Sequence, residues 1–345
     1  MNSHIIEAFL NIRDIAKKAG VSYMTVSRVI NGSPLVKPKT KLKVETVIAK
    51  HNYIPSHSAS MIRRKTSNVL GLIMPKLEYS FFEPFINRLC AAARAKQYSL
   101  EIFFTDFDIN AEEACVHELA ARRARGIIII GAQVHDAVLL KINEYVQNIL
   151  FIGLPYPSIR SKVRFSYVGF EDDAVTRIAA ERLASNGHRN ILYVSSKTRP
   201  YKITGIDTQR LVGFKKHADA LGMRIAGTIE LNNDDYDELL SPELLRSTMR
   251  DNAVTAAFCE NDFAAMKLYR ATHDTGIRIP DDLSVIGVDD LFCAKYLTPP
   301  LSTIALPYDK TADDIIAFFM TANPKPLRNY YEPVYRDRAS IKNIA

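Results

Sequence analysis

Apolar residues recur at helical spacing near the start of the chain and gather into short runs after residue 67. Ile12, Ile15, Ala16 and Ala19 lie three and four apart, which gives one apolar helix face. Asn11, three residues before Asp14, predicts the N-cap of that helix, with a carboxylate near its positive end. Gly20 predicts its stop. Ser22 then caps a second helix with Val26, Val29 and Ile30 on its inner face, and Asn31-Gly32 ends it. A third helix is predicted over 38–51, with Val44, Val47 and Ile48 inward and Pro38 at its first position.

From residue 68 the pattern changes. Buried strands are predicted at 68–75, 99–105, 126–132 and 149–154, with helices at 83–98 and 110–124. A second series follows: helices at 172–186, 208–222, 241–250 and 262–275, and strands at 191–195, near 226–232, 255–260 and 284–290. Alternating strands and helices predict parallel sheets with right-handed crossovers, and two such series predict two open α/β lobes. Ligands of such lobes bind beyond the carboxyl ends of the strands.

Charge divides the chain at the same place. The 345 residues carry a formal net charge of +7, yet residues 1–67 hold 12 Lys and Arg against 3 Asp and Glu. The rest holds 33 against 35. A basic module on a near-neutral body predicts a polyanionic partner, nucleic acid or an anionic membrane surface. The cations frame short separate helices rather than one continuous amphipathic helix, which favours nucleic acid. The densest apolar run, 126–132, is far short of the roughly 20 residues that span a bilayer. The N-terminus lacks a basic segment followed by a long apolar stretch, so no signal peptide is expected and the protein is expected in the cytoplasm. Cys90, Cys115, Cys259 and Cys293 form no CxxC pair and are expected as buried, reduced thiols.

Two short helices joined by Gly20-Val21-Ser22 form the helix-turn-helix pattern, in which the start of the second helix enters the DNA major groove. The outward residues there are Ser22, Tyr23, Met24, Thr25, Ser27 and Arg28, with Asn31 at the helix end. Hydroxyls suit phosphates and base edges, Arg28 can fork onto guanine O6 and N7, and Tyr23 and Met24 offer apolar contact to thymine methyls. Lys37, Lys39, Lys41 and Lys43 crowd the start of the third helix, where phosphates would relieve their repulsion. No GxGxxG, GxxxxGKS or GxSxG motif and no metal-ligand spacing is present, so enzyme and cofactor roles have no support, and no cofactor or metal is expected. His188 is expected in a structural role.

AGVSYMTVSRVINGS and HNYIPS resemble the N-terminal module of the LacI/GalR family of bacterial transcriptional regulators. SNGHRNILYVS, RLVGF, CENDFAAM, IRIPDDLSVIGVDD and LTPPLSTI resemble its core, which is similar to periplasmic sugar-binding proteins. The resemblance covers nearly the whole chain. It implies a helix-turn-helix domain over 1–55, a hinge over 56–67 and an effector-binding, dimerising core over 68–345. Lobe 1 would span about 68–168 and 302–328, and lobe 2 about 169–301 and 329–345. The hinge would fold in the DNA minor groove, with Ser56, Ala59, Ile62 and Arg63 in contact and Ile62 as the wedge. The family's usual wedge is Leu, and Lys37 stands where its usual Ser N-cap would be.

The resemblance also implies effector contacts at Phe81 and Phe82 after the first strand, and at Arg210, Asn261 and Asp289. A guanidinium, an amide and a carboxylate complement vicinal hydroxyls, and an aromatic ring can cover an apolar sugar face. Ordinary structural roles compete: core packing for the two Phe, an ion pair for Arg210, and a strand-end cap or salt bridge for Asp289. Gly153-Leu154, Tyr79-Ser80 and Glu171-Asp172 depart from common sugar-responsive members, which points away from a common hexose. The expectation is a nucleoid-associated bacterial repressor, acting as a homodimer on double-stranded operator DNA, with a small-molecule effector, carbohydrate favoured. Control by a nucleobase or by a partner protein stays open. An enzyme and a transport protein do not fit.

Overall fold

In the computed structural model the described residues are 10–30, 32–51, 53, 67–76, 82–131, 148–153, 165–196, 206–231, 240–321 and 324–345. The chain divides into two compact units, Met1–Ser67 and Asn68–Ala345.

The first unit holds α1 (Ile12–Ala19), α2 (Tyr23–Ile30) and α3 (Pro38–Lys50). The expected cap of α1 is a full capping box. Asn11 Oδ1 accepts from the amides of Arg13 at 2.8 Å and Asp14 at 3.2 Å, and Asp14 Oδ2 accepts from the Asn11 amide at 2.8 Å. Gly20 closes α1 in the left-handed conformation at φ 60°. Ser22 caps α2, its Oγ accepting from the Thr25 amide at 3.2 Å. Lys37 gives α3 no side-chain cap, and Pro38 opens the helix instead. Ile15, Ala16, Ala19, Val26, Val29, Val44 and Tyr53 form the core, with Ile12, Ile30, Val47 and Ile48 against it. The hydrophobic spacing therefore selected the inner faces of all three helices.

The second unit begins with β1 (Val69–Met74), α4 (Phe82–Ala95), β2 (Ser99–Phe104), α5 (Ile109–Ala121), β3 (Gly126–Ile130), β4 (Ile149–Ile152) and β5 (Ser166–Phe170). It continues through α6 (Asp172–Ser185), β6 (Asn190–Ser196), α7 (Ile206–Ala220), β7 (Arg224–Leu231), α8 (Pro242–Asn252), β8 (Ala256–Cys259), α9 (Asp262–Thr275) and β9 (Ser284–Val288). A short 3-10 turn (Phe292–Tyr296), β10 (Ser302–Ala305), α10 (Tyr308–Met320), β11 (Arg328–Tyr331) and β12 (Val334–Arg336) complete it.

Two six-stranded sheets result, ordered β11-β5-β4-β3-β1-β2 and β12-β10-β9-β8-β6-β7. All pairs are parallel except β10 with β12. Side chains alternate between the two covered faces of each sheet. Leu70, Leu72 and Met74 face one core and Ile73 the other, while Leu192 and Val194 oppose Ile191 and Tyr193.

The lobe boundaries need correction. Residues 302–305 were expected in lobe 1, but β10 pairs with β9 in the second sheet. Ser302 and Thr303 hold it there through Ser340, Arg338 and Asp262. Residues 329–331 were expected in lobe 2, but β11 pairs with β5 in the first sheet. The chain thus crosses between sheets after Phe170, after Ala305 and after Tyr331. The segment after β12 is sewn onto the second sheet: Ser340 Oγ donates to Val285 O at 2.6 Å, and the Lys342 amide donates to Ser284 Oγ at 2.9 Å. His188 belongs to the same seam, buried between Thr255 Oγ1 at 3.0 Å and Lys342 O at 3.1 Å. The four cysteines are free, with Cys259 buried and the other three half-buried.

Candidate functional site

The first candidate surface is α2. Val26 and Val29 anchor it to the core, so the opposite face is turned outward. Tyr23 is 54% and Met24 46% exposed, and Ser22 and Arg28 are also exposed. Thr25 and Ser27 are half-buried at its margin, with Thr25 Oγ1 2.9 Å from Ser22 Oγ. The Arg28 carbonyl accepts from the Ser33 amide at 2.9 Å, which closes the helix end, and the Arg28 side chain is exposed. Ser22, Tyr23, Met24 and Arg28 are thus exposed as the sequence suggests, while Thr25 and Ser27 are only partly so. Asn31, Ser56, Ala59, Ile62 and Arg63 lie outside the described residues.

The second candidate site lies at the carboxyl ends of the second sheet, where β8 runs into Glu260 and β9 into Asp289. Arg210 is its centre. Arg210 Nε donates to Asp172 Oδ1 at 2.8 Å and Nη1 to the Glu260 carbonyl at 2.8 Å. The RLVGF motif explains how the guanidinium reaches that point. A Cβ on Gly213 would lie 2.8 Å from Thr176 Oγ1, so its absence lets α7 press against α6. Phe214 is fully buried against Tyr193 and Phe258 and locks the rotation of α7. Arg210, one turn earlier, then meets Asp172 at the start of α6.

Asp289 is 5% exposed, and the backbone carries it at φ 105°, followed by Asp290 at φ 54°. Two successive non-glycine residues in that region cost about 1–3 kcal/mol each, so the surrounding structure must hold them. Burial pushes the Asp289 carboxyl up to about 6, Arg210 pulls it down, and Asp172 adds a smaller upward push. For Arg210 burial opposes the charge, but Asp172, Asp289 and Glu260 outweigh it and keep the guanidinium protonated.

Tyr308 closes the site at the start of α10. Its ring meets Phe170 edge-on at 5.6 Å and Phe85 at 6.0 Å. Both Phe170 and Tyr308 pack against the cores of both lobes. The Tyr308 hydroxyl is buried with no hydrogen-bond partner among the described residues. Burial, then the nearby Asp289 charge, holds its pKa well above the ordinary range.

Of the expected effector residues, the structure brings Arg210 and Asp289 together. Asn261 is the N-cap of α9, its Oδ1 accepting from the Ala264 amide at 2.8 Å. That oxygen caps the helix. Phe81 lies outside the described residues, and for Phe82 only the backbone that opens α4 is described. Arg210 does form the competing ion pair, but with a partner at the strand ends rather than across a surface. Sequence reasoning missed Asp172 and Tyr308. Asp172 was visible only as part of an unusual Glu171-Asp172 pair, and Tyr308 carried no motif. Among the described residues no His, Cys, Asp or Glu group could hold a metal ion, and no helix is long and apolar enough to cross a membrane.

The Asp289 charge has a measurable consequence. Its folded-state pKa is raised, so the native chain holds that proton more tightly than the unfolded chain. Asp289 therefore disfavours folding as pH rises through about 6. Asp289→Asn is expected to stabilise the protein by about 2–3 kcal/mol above that pH, with the gain fading below about pH 4. Urea unfolding at two pH values reads it, and an equal gain at both would refute it.

Residues 11–56 match the bacterial regulatory proteins of the lacI family, and residues 180–340 match the periplasmic binding protein-like domain. The HTH-type transcriptional regulator DegA of Bacillus subtilis is 31% identical over 299 residues, covering 86% of this chain and 86% of DegA. The HTH-type transcriptional repressor PurR of Serratia proteamaculans is 28% identical over 311 residues, covering 90% and 88%. A lac repressor dimer bound to operator and the anti-inducer ONPF shares the fold at TM-score 0.80 and 24% identity, covering 97% of this chain and all of that one. The transcriptional regulator CelR in complex with cellobiose gives TM-score 0.65 at 22% identity, covering 96% and 99%. The helix-turn-helix unit and the two-lobed core thus occur together in relatives that regulate transcription, and this chain belongs to the LacI family of DNA-binding transcriptional regulators.

Proposed function

We propose that the protein is a repressor whose affinity for operator DNA is set by a small polyhydroxylated effector held between the core lobes. The observation that carries the reading is the group of buried Asp289 with half-buried Arg210, Asp172 and Tyr308 at the carboxyl ends of the second sheet. Asp289 accepts from ligand hydroxyls, Tyr308 supplies an unspent hydroxyl, and Phe81 and Phe82 cover an apolar face.

Phe170 and Tyr308 stand at two of the three crossings between the lobes, so a ligand that touches Tyr308 can bias the lobe angle. In a dimer that bias reaches the two hinge segments, where Ser56, Ala59, Ile62 and Arg63 engage the minor groove. The regulator then works in the cytoplasm, on the nucleoid. The relatives are regulators rather than enzymes, in keeping with a core that binds without turnover.

A thermal-shift screen of cellobiose, ribose, other sugars, sugar phosphates and nucleobases tests the reading. A ligand present at 100 times its Kd adds roughly 2.7 kcal/mol. The same compound is expected to change retention of a DNA duplex selected from a random pool. A nucleobase that gives both effects would replace the carbohydrate. A ligand that binds equally well to Arg210→Ala and Asp289→Asn would place the site elsewhere.

A further inference from the structure

Asp289 and Asp290 are adjacent acids with separate surroundings. Asp290 is bound away from the site, 2.5 Å from Arg338 Nη2 and 3.5 Å from Arg336 Nε. Asp289 is left to the Arg210 side. The separation depends on the left-handed turn over 289–290, and that turn is held by three successive amides. The Asp289 amide donates to Ile304 O at 2.9 Å. The Asp290 amide donates to Thr303 Oγ1 at 3.4 Å, a long bond. The Leu291 amide donates to Asp262 Oδ2 at 2.8 Å. Thr303 Oγ1 in turn donates to Asp262 Oδ1 at 2.6 Å. Two of the three amides therefore converge on one fully buried carboxyl, directly or through one hydroxyl.

The sequence makes room for that carboxyl. A Cβ on Gly287 would stand 2.2 Å from Asp262 Oδ1. Both Asp262 oxygens are bonded to the turn segment, one by the Leu291 amide and the other by the Thr303 hydroxyl. Burying a carboxyl is costly unless its oxygens are bonded, and here the bonds go to the segment that aims Asp289.

We infer that Asp262 and Thr303 are positioning residues that set the direction of the Asp289 carboxyl, with Gly287 as the gap that admits them. The inference rests on the proposed role of Asp289 for its importance to ligand binding, but its geometry can be tested without a ligand. The charged and titratable groups facing Asp289 are Arg210, Asp172 and Tyr308, with Asp262 behind the turn. If the turn relaxes, Asp289 leaves its buried place and titrates like an ordinary carboxyl.

The full chain is labelled with carboxyl-carbon-13 aspartate, and the Asp289 signal is identified by its loss in Asp289→Asn. In the wild type its titration midpoint is expected near 6. Thr303→Val and Gly287→Ala are expected to lower it by about one unit or more, toward the ordinary value of about 3.9. Thr303→Ser, which keeps the hydroxyl, is expected to retain the wild-type midpoint. General loss of stability would lower the melting temperature without moving this signal in the folded protein. A wild-type midpoint in folded Thr303→Val or Gly287→Ala overturns the inference, and either variant suffices. If the midpoint moves but Asp289→Asn keeps full ligand response, the positioning stands and the ligand role of Asp289 falls.

Discussion

Arg210→Ala lowers the stability of the core by about 3–5 kcal/mol, the range for removing one partner of a buried ion pair. The effect is large because one guanidinium serves several acids. Arg210 is bonded to Asp172 and to the Glu260 carbonyl, and it acts on Asp289 through space. Removing it leaves buried negative charge without compensation. The deficit depends on pH with a definite sign. Arg210 lowers the Asp289 pKa, so its loss drives that pKa further above 6. The mutant is then most impaired at high pH and recovers in part as pH falls and Asp289 takes up its proton. Urea unfolding of full-length protein at high and low pH reads both features. A deficit that stays flat with pH would mean that Asp289 does not feel Arg210.

Arg28→Ala is expected to weaken the preference for the selected DNA sequence while the helical unit stays folded. Arg28 lies on the outward face of α2, away from the Val26 and Val29 contacts, so its removal opens no cavity. A forked contact to guanine accounts for about 1–3 kcal/mol of discrimination, or roughly five- to 150-fold in affinity. Competition between the duplex selected by the wild type and a scrambled duplex measures it. Lys39→Ala should instead weaken binding to both duplexes alike and reduce the salt slope by about 1. An Arg28→Ala protein that keeps the full wild-type preference for the selected duplex would take direct base reading away from this residue.

The sequence was most informative where structure is local. The capping box of Asn11 and Asp14, the stop at Gly20 and the outward residues of α2 follow from spacings of three and four, and all are found. RLVGF shows how a motif mixes purposes. Its Gly and Phe seat α7, and only its Arg reaches the site. Non-local pairings were harder to see. Asp172 and Arg210 are 38 residues apart, and the pair exists only because two helices lie side by side. Asn261 looked like a ligand residue because a side-chain amide suits sugars, yet the same chemistry suits a helix N-terminus. The short strands β10 and β11, four residues each, carry too little periodicity to reveal which sheet they join, which is why the lobe boundaries moved.

The three crossings between the sheets also set an order of events during synthesis. The helical unit can close once residue 67 has left the ribosome, because the described residues of its core all lie between Leu10 and Tyr53. Neither sheet can close so early. The first waits for β11 at residues 328–331, and the second waits for β12 and for the seam through Ser340 and Lys342. Between those points the nascent chain is a finished DNA-reading head on two unfinished lobes, whose open edges need protection until β11 and β12 emerge.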